Sequence, residues 1–256
     1  MRRLFTFGCS FTNYMWPTWS DFIATKFDYD ENWGHSGAGN FYIASMVYEC
    51  NQINNFTEND TVLIMLSSFS RYDMILRDST WTLSGNIYSQ TRYSKEFVEE
   101  YWSEEFGLYQ TWFAVSSIKT LLDKIGCKYK FMCAFDLKRE ETNTQISSEM
   151  KKARITKCYE FLEPILPKNN MKDFIEEKIK NGELYYKLDG GFDYHPTISM
   201  HLDWIKQELP EFYDITMDDQ CAKWESLIDS SKSKTIENFG EINSKYIKNV
   251  NHQFGW

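Results

Sequence analysis

The run "TVLIML", Thr61–Leu66, is continuous and apolar beyond its first residue, and the polar "SSFSRYD" follows it. A strand with one wet face alternates apolar and polar residues. A run without alternation is expected where both faces are covered, as in the centre of a parallel sheet. Working outward, Leu4–Phe7 reads as a second short buried strand, and "KYKFMCAF", Lys128–Phe135, as a third. The connections between these runs are longer than a hairpin needs, so parallel strands with right-handed helical crossovers are expected.

The crossovers carry helical patterns. Residues 16–27 place Trp19, Phe22, Ile23 and Phe27 on one face, with Pro17 suited to a first turn. Residues 40–54 place Ile43, Val47, and Cys50 or Ile53 on a buried stripe. Residues 96–125 carry one long pattern through Trp112, Phe113, Val115, Ile118, Leu121 and Leu122, ending before Gly126. "TISMHLDWIKQEL", from Thr197, reads as another helix, after a short extended piece and loop at 183–197. Residues 74–105 and 136–182 read as helical insertions, the first with a polar, irregular part. The tail, 215–256, is a polar extension with scattered aromatics. The reading is one α/β domain over 1–256: three layers, α/β/α, around a mostly parallel sheet of about five strands.

The 256 residues suffice for a real core. A net charge of −9 and no basic patch argue against nucleic acid as a partner. No apolar run is long enough to span a membrane. The six cysteines show no metal spacing, and "MRRLFTFGCSF" has too short an apolar run for a secretory signal. They are expected to be reduced, buried thiols in a cytoplasmic protein. No metal and no cofactor is expected, because no His/Asp/Glu cluster has ligand spacing. The nine Trp and sixteen Tyr are compatible with a ligand cleft as well as a core.

In parallel sheets ligands bind beyond the C-terminal strand ends. That rule gathers Gly8–Thr12, Ser67–Asp73 and the loop around His195, flanked by the glycine loop "NWGHSGAGN", Asn32–Asn40. In "FGCSFT", Gly8 permits a tight turn that exposes Ser10 after a strand, a position suited to a nucleophile. Cys9 points the opposite way and is expected to pack. Gly34, Gly37 and Gly39 leave backbone N–H groups uncovered, as an oxyanion hole requires. In "DYHPT", Asp193 stands beside His195 as the orienter of a base, and Pro196 stiffens the turn and can begin the next helix. His201 is expected to pack on a helix face. His35 lies in the glycine loop and His252 in the unreadable tail.

The order of these blocks resembles the SGNH/GDSL hydrolases, and "GCSFT" followed by "WP" is similar to uncharacterised bacterial and phage members. The resemblance implies a flavodoxin-like sheet order, Ser10 as nucleophile, His195 as general base and Gly37 as oxyanion donor. Two departures stand out. The family's third block ends Gly-x-Asn-Asp, whereas this chain has Leu66-Ser67-Ser68-Phe69. Losing such a donor costs about 2.7–4 kcal/mol of transition-state stabilisation. Ser67 or Ser68 could replace it through a hydroxyl, or Asn40 could swing in, and Arg71 is a candidate to hold substrate. The family also has Asp three residues before His. That position is Phe192 here, leaving Asp193 or, farther off, Asp189 as orienter.

The expected activity is a serine esterase acting on a small acyl ester, with O-acetyl on a glycan the first candidate. The alternatives are a degenerate domain that binds a glycan or partner without turnover, and an O-acyltransferase.

Overall fold

The computed structural model describes residues 1–89, 93–137, 149–231 and 234–242. From the N-terminus come β1 (Arg3–Phe7), α1 (Trp19–Ala24), β2 (Tyr29–Asn32), α2 (Asn40–Asn54) and β3 (Thr61–Leu66). Next are β4 (Arg71–Ile75), β5 (Trp81–Asn86), α3 (Lys95–Tyr101), α4 (Glu104–Ile125) and β6 (Lys128–Cys133). The C-terminal part holds α5 (Glu149–Leu162), α6 (Met171–Lys180), β7 (Lys187–Leu188), β8 (Gly191–Phe192), α7 (Ile198–Glu208), α8 (Thr216–Asp229) and α9 (Ile236–Ile242).

The central sheet has four strands among the described residues, all parallel, in the order β2-β1-β3-β6. The expected fifth strand is not among them. Every residue of β3 is buried, as its unbroken apolar run demands. Helices cover both faces. On one, α2 packs on α4 and α4 on α5; on the other, α1 packs on α7, which also meets α6 and α8. The largest wholly buried side chains include Trp16, Trp19, Trp204, Phe5, Phe7 and Phe22.

Several local expectations are corrected. The 16–27 pattern yields only a six-residue helix: it begins after Thr18, whose N–H donates to Asp21 Oδ2 at 2.7 Å, and ends at Ala24, so Pro17 precedes the cap and Phe27 lies past the end. Pro196 likewise stands before the cap of α7, which is Thr197, its side chain accepting from the Met200 N–H. The long 96–125 pattern is two helices, broken where Ser103 caps α4. Phe113 is exposed on the outer face. In α2, Cys50 completes the buried stripe and Ile53 faces out. The 74–105 insertion is not helical throughout, since β4 and β5 form an antiparallel hairpin before α3. The 183–197 piece contains a second hairpin, β7–β8, turning through Asp189 and Gly190. The tail supplies α8 and α9, whose Trp224 packs on Phe22 and whose Phe239 lies edge-on to Trp16.

No disulfide joins any of the six cysteines, and all six are buried. Burial pushes the thiols of Cys50, Cys127, Cys158 and Cys221 upward, so they stay protonated.

Candidate active site

The chain passes from β1 to β2 on one side and returns across β1 to β3 on the other, so the order reverses between β1 and β3. A crevice is expected at that reversal. Four stretches converge there: the Gly8–Thr12 turn after β1, the Trp33–Gly39 loop after β2, Ser67–Ser70 after β3, and Ala134–Phe135 after β6.

The turn after β1 is tightly specified. Thr12 N–H donates to the Cys9 carbonyl at 2.9 Å and closes the turn around Ser10. A Cβ on Gly8 would lie 2.1 Å from Thr12 Oγ1, so only glycine fits. Cys9 is wholly buried and packs in the core. The glycine loop is sewn to this turn. His35 N–H donates to the Gly8 carbonyl at 3.0 Å, Asn13 Nδ2 to Gly34 O at 2.9 Å, and Asn32 Nδ2 to Thr12 O at 2.8 Å. Gly37 adopts φ +85°, the left-handed region, and its carbonyl accepts from Gly85 N–H in β5 at 3.2 Å. The N–H groups of Ser10 and Gly37 have no acceptor among the described residues.

The β7–β8 hairpin delivers Asp193, whose N–H donates to Tyr186 O at 3.0 Å. Asp193 Oδ1 accepts from His195 Nδ1 at 2.7 Å and from the His195 backbone N–H at 2.9 Å. Its Oδ2 accepts from the Tyr14 hydroxyl at 2.7 Å. Burial works to raise this carboxyl, but the donors from His195 and Tyr14 outweigh it and hold the group below its usual value. A carboxylate only accepts, so the proton sits on Nδ1 and Nε2 is the basic nitrogen. Asp193, not Asp189, holds the imidazole.

His195 lies against the segment that carries Ser10. The Phe11 ring meets the imidazole edge-on at 5.9 Å between centroids, and the Tyr14 ring stacks on it at 3.8 Å. Trp16 Nε1 donates to Pro196 O at 2.7 Å. Ser10 is 5% exposed. No hydrogen bond joins its Oγ to His195 in this structure. Such bonds are often long before substrate binds and tighten in the complex.

From His195 an aromatic wall runs outward. Phe11 stacks on Phe135 at 5.5 Å, and the Arg71 guanidinium lies 5.3 Å over the Phe135 ring. Arg71 Nη1 donates to Ala38 O at 2.9 Å, one residue from Gly37, and Arg71 makes no ion pair among the described residues. A shallow hollow lined by Phe135, Leu137, Leu166 and Asn170 adjoins this wall.

The substitutes for the missing Asn fare unequally. Asn40 is occupied: Nδ2 donates to Ser67 O at 2.9 Å and to Thr111 Oγ1 at 2.8 Å, while Oδ1 accepts from Ser67 N–H at 2.7 Å. It clamps β3 to α2 and α4 and has no hydrogen left for an oxyanion. Ser67 is 0% exposed, with its hydroxyl sealed in the interior. Ser68 is half-buried and shares a hydrogen bond with Ser70 Oγ at 2.9 Å, which leaves it, with Arg71, at the crevice surface.

His201 is buried in α7 with both ring nitrogens unpartnered, and burial, then the nearby His195, lowers it to about 3, so it is neutral. His35 is exposed in the glycine loop. His252 lies outside the described residues. Among the described residues, no group of three or more His, Cys, Asp or Glu is placed to hold a metal ion, and no helix is long and apolar enough to cross a membrane.

Tyr14 is the site residue that the sequence does not announce. Its partner is far along the chain, and a lone tyrosine after a turn carries no local signal.

No family model matches the chain, and no curated protein matches it. Solved structures do. An acetylxylan esterase from Geobacillus stearothermophilus aligns with 82% of this chain and 93% of its own, at 13% identity and a TM-score of 0.46. A member of the lipolytic protein G-D-S-L family from Veillonella parvula aligns with 82% of this chain and 99% of its own, at 9% and 0.43. A psychrotrophic esterase from a Pseudoalteromonas species aligns with 88% of this chain and 98% of its own, at 13% and 0.41.

Proposed function

We propose that this chain is a serine esterase of the SGNH/GDSL type, with Ser10 as nucleophile, His195 as base and Asp193 as its orienter. The observation that carries the reading is the Asp193–His195 pair, bonded at 2.7 Å and packed against the segment that bears Ser10. In the proposed reaction His195 Nε2 takes the Ser10 proton as Oγ attacks the ester carbonyl carbon. The carbonyl oxygen, now anionic, is held by the Ser10 and Gly37 N–H groups. Collapse expels the alcohol, which leaves with the proton from Nε2. Water then attacks the acyl-enzyme, its proton passing to Nε2 and from there back to Oγ.

Ser68 and Arg71 are the side chains available to support or select the substrate. The substrate class is a small-molecule or glycan ester, with O-acetyl the first to try, and six buried cysteines outside any disulfide suit a reducing, cytoplasmic setting. A second reading, a domain that binds its ester without turnover, draws support from Asn40 and Ser67, neither of which offers a side-chain donor to an oxyanion.

The test uses p-nitrophenyl acetate and a fluorophosphonate probe on wild type and Ser10→Ala. Turnover and labelling by wild type only support the esterase. A wild type that neither turns over nor labels sinks it in favour of the binding module. Adding a sugar acceptor and analysing products separates hydrolysis from acyl transfer.

A further inference from the structure

We propose that Tyr14 is a positioning residue for His195: its hydroxyl fixes the Asp193 carboxylate while its ring holds the imidazole face-on. The kinetic consequence rests on the esterase reading above; the contact itself rests on geometry alone.

The Asp-x-His spacing is short. With only Tyr194 between them, Asp193 spends one oxygen, Oδ1, on both the backbone N–H and the Nδ1 of His195. Oδ2 gains no donor from its own loop. The terminal torsion of an aspartate is soft, so a carboxylate held at one oxygen can swing. Tyr14 OH closes the other side at 2.7 Å. The phenol is a firm donor there, because burial and then the Asp193 carboxylate push it well above its usual value, so it keeps its proton.

The ring does a second job. Tyr14 and His195 are stacked at 3.8 Å with 22° between planes. When the imidazole takes a proton, the electron-rich face of a tyrosine favours the cation. Tyr14 is itself held edge-on by Trp16 at 4.6 Å, and Trp16 is bonded to Pro196 O. The segment that presents the nucleophile therefore also sets the orientation of the base.

The two roles can be separated. Tyr14→Phe keeps the face and deletes the donor; Tyr14→Leu deletes both. The protein has four histidines, so ¹³C-histidine labelling can follow the His195 ring by NMR through a pH titration. The titratable groups facing that ring are Asp193 and Tyr14, with His201 behind it in α7. In Tyr14→Phe the Asp193 charge is less spread, the imidazolium is better stabilised, and the midpoint rises by about half a pH unit or more. In Tyr14→Leu the midpoint falls below that of Tyr14→Phe. On p-nitrophenyl acetate, Tyr14→Phe lowers kcat on the order of tenfold with KM nearly unchanged, and Tyr14→Leu lowers it further.

A Tyr14→Phe midpoint and kcat equal to wild type overturn the proposal. So do equal losses of activity and stability in both variants with an unmoved midpoint, which mark Tyr14 as packing only. If the wild type is inert toward esters and probe, the esterase reading falls, and the midpoint in Tyr14→Phe still decides whether Tyr14 sets the Asp193–His195 pair.

Discussion

The indole N–H of Trp16 donates to the carbonyl of Pro196 at 2.7 Å, joining residues 180 apart in the chain. Trp16 is wholly buried, so this bond fixes the His195 loop against the Ser10 segment from inside the core. Trp16→Phe should leave the Pro196 carbonyl buried and unpaired, at a cost of about 1–3 kcal/mol. Urea denaturation is the check, with the midpoint shifted and the slope unchanged. An unchanged midpoint would mean the bond contributes nothing net.

Asp193→Asn should leave the fold intact and strip activity. An amide offers Nδ1–H at most one acceptor and can turn its NH2 toward the ring, which stabilises the wrong tautomer. A loss in kcat on the order of a thousandfold or more is expected. The comparison is steady-state kinetics against a circular-dichroism melt of the same preparation; retained kcat would rule out Asp193 as the orienter.

Asp73 gives a pH-dependent stability. It is 4% exposed and accepts from the Gly39 and Tyr42 N–H groups at 2.9 and 3.0 Å, where α2 begins. Burial pushes its carboxyl up to about 6, the two N–H donors only partly offsetting this. The folded state therefore holds its proton longer than the unfolded state. The contribution is full below about pH 4 and is lost as pH rises through about 6. Asp73→Asn cannot ionise, so its stability relative to wild type should improve between pH 4 and pH 7 by about 2–3 kcal/mol. Paired urea melts at the two pH values measure it, and a difference constant with pH would refute the assignment.

Gly37→Ala should be more damaging than Gly85→Ala. Both glycines have positive φ, at 85° and 72°, so each alanine carries backbone strain of about 1–2 kcal/mol. At Gly37, however, the new Cβ would lie 2.4 Å from Leu83 O, while at Gly85 it meets nothing within 4 Å. Gly37→Ala must therefore shift the loop and its N–H, with a loss of kcat beyond the loss of stability. Equal effects at the two positions would remove Gly37 from the oxyanion role.

The parts of the fold legible in sequence are those whose burial shows as pattern. The all-apolar β3 is one, and the bounds of α2 are another. β2 was hidden because Tyr29-Asp30-Glu31-Asn32 reads as a polar loop. In the structure Glu31 is 3% exposed and accepts from Trp33 Nε1 and Asn54 Nδ2, so its charge is matched by partners that only the folded chain supplies. The β4–β5 hairpin was masked by the polar turn between its strands. At the candidate site, the tight Gly8–Thr12 turn and the Asp193–His195 pair were legible because each is local in the chain. Asn40, Ser67 and Tyr14 were not, since what each does depends on a neighbour far along the chain: Thr111 for Asn40, Asp193 for Tyr14.

The bond from Gly85 N–H to Gly37 O ties the glycine loop to the β4–β5 hairpin. The glycine loop takes its shape partly from a hairpin outside the central sheet. Loop and hairpin are thus mechanically coupled: trimming the hairpin would remove the donor that the Gly37 carbonyl now has. Anyone transplanting "NWGHSGAGN" into another scaffold should expect it to lose its conformation unless β5 travels with it.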